Sequence, residues 1–220
     1  FDKPLGWTSF DVVNKVRLLI RYILGIKKLK AGHAGTLDPL ATGLLIICTG
    51  TKTKNIEQFQ DLEKEYTGTF TLGQTTPSFD LETIPDASFP LSHITYQMAL
   101  EASKKLSGYQ KQIPPLFSAK KIDGRRAYEM ARRGDSVVLK ANDVFVRTFD
   151  ITRFELPEAD FRVVCSKGTY IRSLARDFGQ AIGSGAHLKS LRRTSTGDFD
   201  VKNAWTIDGF EKHLLSLSIK

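Results

Sequence analysis

A chain of 220 residues with 41% hydrophobic and 25% charged side chains has the composition of a globular protein with a core, which excludes a disordered or low-complexity chain. Its 32 Lys and Arg against 24 Asp and Glu leave a net charge of +8 and an isoelectric point near 9.5, a balance that suits a polyanionic partner but is shared by many solvated surfaces. Cys48 in LLIIC and Cys165 in FRVVC lie in apolar runs with no CxxC partner, so buried reduced thiols in a reducing compartment are expected in place of a disulfide or zinc site. With no run of 18 apolar residues and no apolar signal core, neither a membrane span nor a secretion signal is expected. The chain opens on Phe1 and not Met, so residues are expected to precede it.

After the turn KPLGWTS, the apolar residues Val12, Val13, Val16, Leu19, Ile20, Ile23 and Leu24 recur at three- and four-residue steps. That spacing predicts an amphipathic helix, with Ser9 as cap and Gly25 as stop. Its other face carries Lys15, Arg17 and Arg21, and Lys27, Lys28 and Lys30 follow in the linker. LLIIC reads as a buried strand, and EYTGTFTLG alternates Tyr66, Gly68, Phe70 and Leu72 with threonines at strand period. A helix follows from Thr95 to Leu106, stopped by Gly108; SVVL, DVFVRTFDITRFEL and DFRVVCS read as antiparallel strands, because their connections are too short for crossover helices. YIRSLARDFGQAIG then spaces Ile171, Leu174, Ala175, Phe178 and Ile182 as one helix face. Irregularly mixed helices and strands with short links predict an α+β fold around a mostly antiparallel sheet, as a single domain over 1–220.

The densest stretch is GHAGTLDPLATGLL, Gly32 to Leu45. It is no phosphate cradle, since GTKTK at Gly50 places a residue between glycine and lysine where GK[ST] is required, and GxGxxG is absent. What remains is Asp38 before Pro39. The proline ring pushes its predecessor out of the helical region, so Asp38 is held extended on a glycine-anchored loop, its carboxylate presented and not packed. An isolated Asp-Pro pair most often merely starts a turn, and His33 beside it has an equally plain reading as a turn histidine bonded to backbone.

GHAGTLDPLATGLL, preceded by KPLGWTS, resembles the signature of the TruB family of tRNA pseudouridine synthases, a pattern close to GHxGTLDPxATGxL. KEYTGTFTLG with a later Asp80, PPLFSAKKIDGRRAYEMARRG, SKGTYIRSLARDFG and GAHLKSLRRTSTG extend the resemblance, in the family's order, over nearly the whole chain. The resemblance implies the pseudouridine synthase fold and isomerisation of a uridine in the T-loop of tRNA. That reaction breaks the N1–C1′ bond, turns the base and rejoins it through C5, with no cofactor and no metal. The enzyme must extrude the nucleotide, supply one carboxylate and exclude water from an electrophilic intermediate.

By resemblance, Asp38 is the catalytic aspartate, either attacking the substrate or acting at the sugar as stabiliser and base. Arg172 matches the arginine paired with that aspartate, a cation that would keep a buried carboxylate ionised. Tyr66 matches the tyrosine that stacks on the target base, a contact worth about 1–3 kcal/mol against the similar cost of flipping. Tyr170 and Leu191 match pocket-lining positions. His33 is similar to the histidine that helps hold the everted nucleotides, and Lys52 and Lys54 are candidates for phosphate contact. Core packing or a solvated surface is the competing reading for each of these.

From Ser118 to Gly134, Lys120, Lys121, Arg125, Arg126, Arg132 and Arg133 accompany Tyr128, with Phe117 just before, a pattern suited to gripping a nucleic-acid backbone and stacking on bases. In the family this is an insertion that closes on the RNA stem-loop, so residues 118–134 are expected to be mobile without RNA. TTPSFD stands where family members often have TDTxD, keeping Asp80 but replacing the earlier aspartate; Asp80 and Glu65 show no evident pairing. Larger members carry a C-terminal PUA domain, and too few residues follow AWTIDGF to form one. The expected protein is a monomeric, cytoplasmic enzyme whose partner is the tRNA T stem-loop, with no membrane. Two rivals share its features: a catalytically silent RNA-binding or tRNA-folding protein, which does not need Asp38, and a base-removing glycosidase, which needs a second carboxylate to manage water.

Overall fold

The computed structural model describes residues 1–118 and 139–218, with the backbone of 121–122 and 125–126. In chain order the first half comprises β1 (Asp2–Lys3), α1 (Ser9–Leu24), β2 (Ala31–His33), β3 (Ala41–Leu44), β4 (Ile47–Thr49), a 3-10 turn (Gly50–Asn55), α2 (Ile56–Asp61), β5 (Lys64–Leu72), β6 (Gln74–Thr75), β7 (Ala87–Ser88), α3 (Tyr96–Lys105) and β8 (Gly108–Gln112). The second half comprises β9 (Lys121–Ile122), β10 (Arg125–Arg126), β11 (Asn142–Glu155), β12 (Glu158–Cys165), α4 (Ile171–Ala181), β13 (Ala186–Thr196), β14 (Phe199–Asp200) and α5 (Ile207–Ser218). Contacts divide the chain into two compact units, residues 1–66 with 191–220, and residues 67–190.

In the first unit β3 lies between β1, antiparallel, and the C-terminal part of β13, parallel, with Leu191, Arg192 and Arg193 opposite Ala41, Thr42 and Gly43. A separate antiparallel pair joins β2 to β4. Helix α1 starts with a capping box: Asp11 N–H donates to the Thr8 hydroxyl at 3.1 Å and Thr8 N–H donates to the Asp11 carboxylate at 2.8 Å. The cap is therefore Thr8 and not Ser9, whose hydroxyl is taken up elsewhere. Most of the apolar stripe predicted for α1 is buried, namely Val12, Val13, Val16 and Leu19, with Val12 and Val16 packed on Leu45 and Phe1, Trp7, Ile20, Ile47, Ile207 and Phe210 closing around them, whereas Leu24 at the end of the helix is exposed. LLIIC does not form one strand. The backbone changes partners at residues 45–46, where Leu45 N–H donates to Phe1 O and Ile46 O accepts from Ala34, so β3 ends and β4 starts anew on β2.

In the second unit β5, β12, β11 and β8 follow one another across the sheet, β11 antiparallel to both β12 and β8. All of DVFVRTFDITRFEL except Leu156 falls in the single 14-residue strand NDVFVRTFDITRFE, and EADFRVVC is its hairpin partner, as the short connection requires. Of SVVL, only Leu139 lies within the described residues, and it is in no strand. Four phenylalanines make the centre of this unit: Phe70 stacks on Phe161 at 4.2 Å between centroids, and Phe178 from α4 meets Phe70 at 5.5 Å and Phe149 at 5.6 Å. Such rings dominate core energetics through the area each removes from water. Both cysteines are buried thiols outside any disulfide, as their apolar settings predicted. The architecture is the expected α+β fold with a mixed, mostly antiparallel sheet. Among the described residues no helix is long and apolar enough to cross a membrane.

Candidate active site

Asp38 is half-buried on the irregular stretch between β2 and β3, and that stretch is tied down at several points within the first unit. Ser9, itself buried, bonds Leu37 in both directions: Leu37 N–H donates to Ser9 Oγ at 2.8 Å, and the Ser9 hydroxyl donates to Leu37 O at 3.1 Å. Pro39 O accepts from Gly6 N–H at 2.8 Å, and Asp38 O accepts from Ala41 N–H at 3.0 Å. The KPLGWTS turn thus exists in this fold to grip the Asp-Pro loop from outside.

Two cations with almost no exposed surface complete the grip. Lys3, fully buried, directs its ammonium to Trp7 O (2.5 Å), Pro4 O (3.1 Å) and Pro39 O (3.4 Å). Burial pushes its pKa down to about 8, opposed by the Asp38 charge and assisted by the cation of Arg193. Arg193, 2% exposed, donates from Nε to Leu44 O at 2.7 Å and from Nη2 to Gly35 O at 3.1 Å. A carboxylate on a loop fixed in this way needs no reorganisation before it acts, which is the physical condition for efficient electrostatic or nucleophilic work.

Other predicted residues of this unit lie on its strands and its 3-10 turn. His33 ends β2, and burial followed by the Arg193 cation lowers its pKa below the usual imidazole range, which favours the neutral ring. Leu191 sits on β13 opposite Ala41, three residues beyond Asp38. Tyr66 on β5 is buried; beside it Glu65 O and Glu65 Oε1 accept from the Thr194 hydroxyl at 3.3 and 2.8 Å, so Glu65 has a structural partner that its sequence did not reveal. Lys52 and Lys54 are exposed on the 3-10 turn.

Arg172 and Tyr170 belong to the second unit. Arg172 projects from the first turn of α4, 4% exposed. Its Nε lies 3.5 Å from Asp80 Oδ2, and its Nη1 donates to Ser78 O at 3.3 Å. Asp80 therefore does have a partner, and a buried one, which corrects the reading that it lacked pairing; the signal was the final aspartate of TTPSFD, retained while the stretch around it departs from TDTxD. Asp80 Oδ1 accepts from Glu82 N–H at 2.9 Å, and Asp80 O accepts from the hydroxyls of Thr76 and Ser78. Tyr170 caps α4, its N–H donated to Gln112 Oε1 at 2.8 Å, while the Ser173 hydroxyl bonds Ile113 O at 2.8 Å. Sequence reasoning missed Ser9, Gln112 and Arg193, all polar and buried. Their signal is a polar side chain inside an otherwise packed motif, visible only once burial is known.

Of the basic 118–134 stretch, Lys120, Arg132 and Arg133 lie outside the described residues. Lys121, Arg125 and Arg126 are described by backbone alone, on the antiparallel pair β9–β10.

Comparison with known proteins agrees with the family that the motifs resemble. Residues 21–171 match the TruB family pseudouridylate synthase N-terminal domain, and residues 172–218 match the tRNA pseudouridylate synthase B C-terminal domain. The chain is 55% identical over 214 residues to a tRNA pseudouridine synthase B of Phocaeicola vulgatus, covering 97% of this chain and 91% of that one. It is 58% identical over 214 residues to the protein of the same name from Flavobacterium johnsoniae, covering 93% of it. Among solved structures, a chain of a Cbf5–Nop10–Gar1 complex superposes with a TM-score of 0.66 at 30% identity, over 90% of this chain and 48% of that chain. A second, from an H/ACA RNP bound to a substrate RNA containing 2′-deoxyuridine, gives 0.62 at 27% identity, over 90% of this chain and 47% of that chain. This chain spans about half the length of these two.

Proposed function

Since the chain belongs to the TruB family of pseudouridylate synthases, we propose that it isomerises a uridine of tRNA to pseudouridine, that the target lies in the T-loop, and that Asp38 carries the chemistry. The observation behind the assignment of Asp38 is the loop itself: Ser9, Gly6, Lys3 and Arg193 each bond the backbone between Gly35 and Leu44, and Asp38 is the one carboxylate which that stretch carries. The chemistry is balanced within the nucleotide. The N1–C1′ bond breaks, the base turns, C5–C1′ forms, the C5 hydrogen leaves to solvent and N1 takes a proton.

In this reading Asp38 acts at the sugar or the base in its ionised form, and Arg172 with its partner Asp80 serves as the cationic group of the site. Tyr66 stacks on the extruded base, which offsets part of the flipping cost of a few kcal/mol. Tyr170 and Leu191 line the pocket. His33, Lys52, Lys54 and the basic residues Lys120, Lys121, Arg125, Arg126, Arg132 and Arg133 contact the RNA, consistent with the charge of +8. The enzyme works as a cytoplasmic monomer with a single catalytic domain.

The test uses a tRNA transcript tritiated at uridine C5. Wild type releases tritium without losing a base, and Asp38→Ala binds the RNA but releases none. Abasic RNA in place of pseudouridine identifies a glycosidase; release that survives in Asp38→Ala removes Asp38 from the reaction.

A further inference from the structure

We propose that Arg193 is a positioning residue for the reaction: its guanidinium clasps both ends of the loop that carries Asp38 and so sets where the carboxylate stands. The inference rests on Asp38 being the reacting group.

One side chain reaches Gly35 O before Asp38 and Leu44 O after it, at 3.1 and 2.7 Å. Nothing else among the described residues bridges those two points. The planar fork explains the choice of residue, since a guanidinium offers several N–H groups at fixed angles and can satisfy two carbonyls at once, where an ammonium is a single point donor. The backbone of Arg193 is also pressed on the loop's return strand. A Cβ at Gly43 would stand 2.3 Å from Arg193 O and 2.7 Å from Arg193 N, so β3 and β13 approach as closely as glycine alone allows.

Charge argues in the same direction. Arg193 is 2% exposed, and among the described residues it has carbonyl partners but no carboxylate. Burying a cation without a counter-ion is costly, and a core built only for packing would place an apolar side chain there. Its charge is felt nearby, lowering the pKa of Lys3 and of His33, the histidine at the entrance to the same loop. The same guanidinium therefore fixes the ends of the loop and its electrostatic surroundings.

The experiment compares Arg193→Met, which keeps bulk and loses charge and fork, with Arg193→Lys, which keeps the charge alone. Near-ultraviolet circular dichroism checks folding, filter binding of a T stem-loop transcript gives Kd, and C5-tritium release under single turnover gives the chemical rate. Hydrogen exchange is followed at Leu37, whose amide is bonded to Ser9, and at Ala41, whose amide is bonded to Asp38 O. Expected for Arg193→Met are a Kd within threefold of wild type, a single-turnover rate reduced at least tenfold, and faster exchange at Leu37 and Ala41 with the amides of α1 unchanged. Arg193→Lys restores part of the rate, and the His33 imidazole titrates higher in Met than in Lys. A folded Arg193→Met with wild-type rate and loop protection overturns the proposal. So does loss of protection throughout the unit, or failure of both variants to fold, since either makes Arg193 a core residue and nothing more. If wild type itself releases no tritium, the Asp38 reading fails, while loop exchange still reports whether the clasp exists.

Discussion

Gly35 and Gly43 offer a controlled measurement of how closely the Asp38 loop is packed. Both have left-handed backbones, φ +102° and φ +103°, so alanine meets a similar conformational penalty of about 1–3 kcal/mol at either site. The gain from a stiffer unfolded chain, about 0.4–1 kcal/mol, is also shared. Their surroundings differ. At Gly35 the nearest atom to an added Cβ is Arg193 Nη1 at 3.5 Å, an ordinary contact, whereas at Gly43 the new carbon falls 2.3 Å from Arg193 O and 2.7 Å from Arg193 N, both backbone atoms of the paired strand. To reach normal separation β3 and β13 must part by roughly 1 Å, which breaks ladder hydrogen bonds worth about 0.5–1.5 kcal/mol each. Losing two of them makes Gly43→Ala about 1–3 kcal/mol worse than Gly35→Ala, a large fraction of a typical total stability of about 5–15 kcal/mol. Urea unfolding followed by far-ultraviolet circular dichroism measures both, with unchanged m-values needed for the comparison. Equal destabilisation within about 0.5 kcal/mol would refute the close approach of the two strands, and with it the geometry of the clasp.

Ser9→Ala removes the acceptor of Leu37 N–H and the donor to Leu37 O in a buried setting, so about 1–3 kcal/mol of stability is lost; urea unfolding checks it, and a change below 0.3 kcal/mol would show that water replaces the hydroxyl. Asp80→Asn removes a charged partner of the buried Arg172, and a hydrogen bond to a charged group is worth about 1.5–3 kcal/mol; the melting temperature falls and the tritium-release rate falls with it, whereas a variant as stable as wild type would show the ion pair to be dispensable. Lys3 gives a pH signature. Its folded pKa is about 8 against 10.5 in the unfolded chain, so between those values the unfolded state holds a proton that the folded state has released, and stability rises with pH. The difference in unfolding free energy between wild type and Lys3→Met should therefore grow from pH 7.5 to 9.5, and a flat difference would mean that the buried ammonium titrates normally.

The elements were legible wherever periodicity was long. The apolar stripe of α1, the Thr alternation of β5 and the helix face of α4 each name their own partner surface, because a 3.6-residue or two-residue repeat is a local property of the chain. Boundaries were less so. Thr8 took the cap that Ser9 could equally have supplied, and LLIIC broke into two strands because Leu45 and Ile46 bond residues distant in sequence, Phe1 and Ala34.

For the site, the chain alone designated Asp38 through its proline and the family signature around it, along with Arg172 and Tyr66. The motif KPLGWTS was visible as a motif, but its purpose was not: that Ser9, Gly6 and Lys3 spend their polar groups on Leu37 and Pro39 depends on α1 folding back along the loop. The pairing of Arg172 with Asp80 joins residues 92 positions apart, and Arg193 reaches carbonyls 149 and 158 positions away. Local sequence determines which side chains are charged, which segments are periodic and which backbone angles a proline or glycine permits. Which charge is taken out of water, and which carbonyls it then must satisfy, is decided by burial, and burial is a property only of the assembled fold.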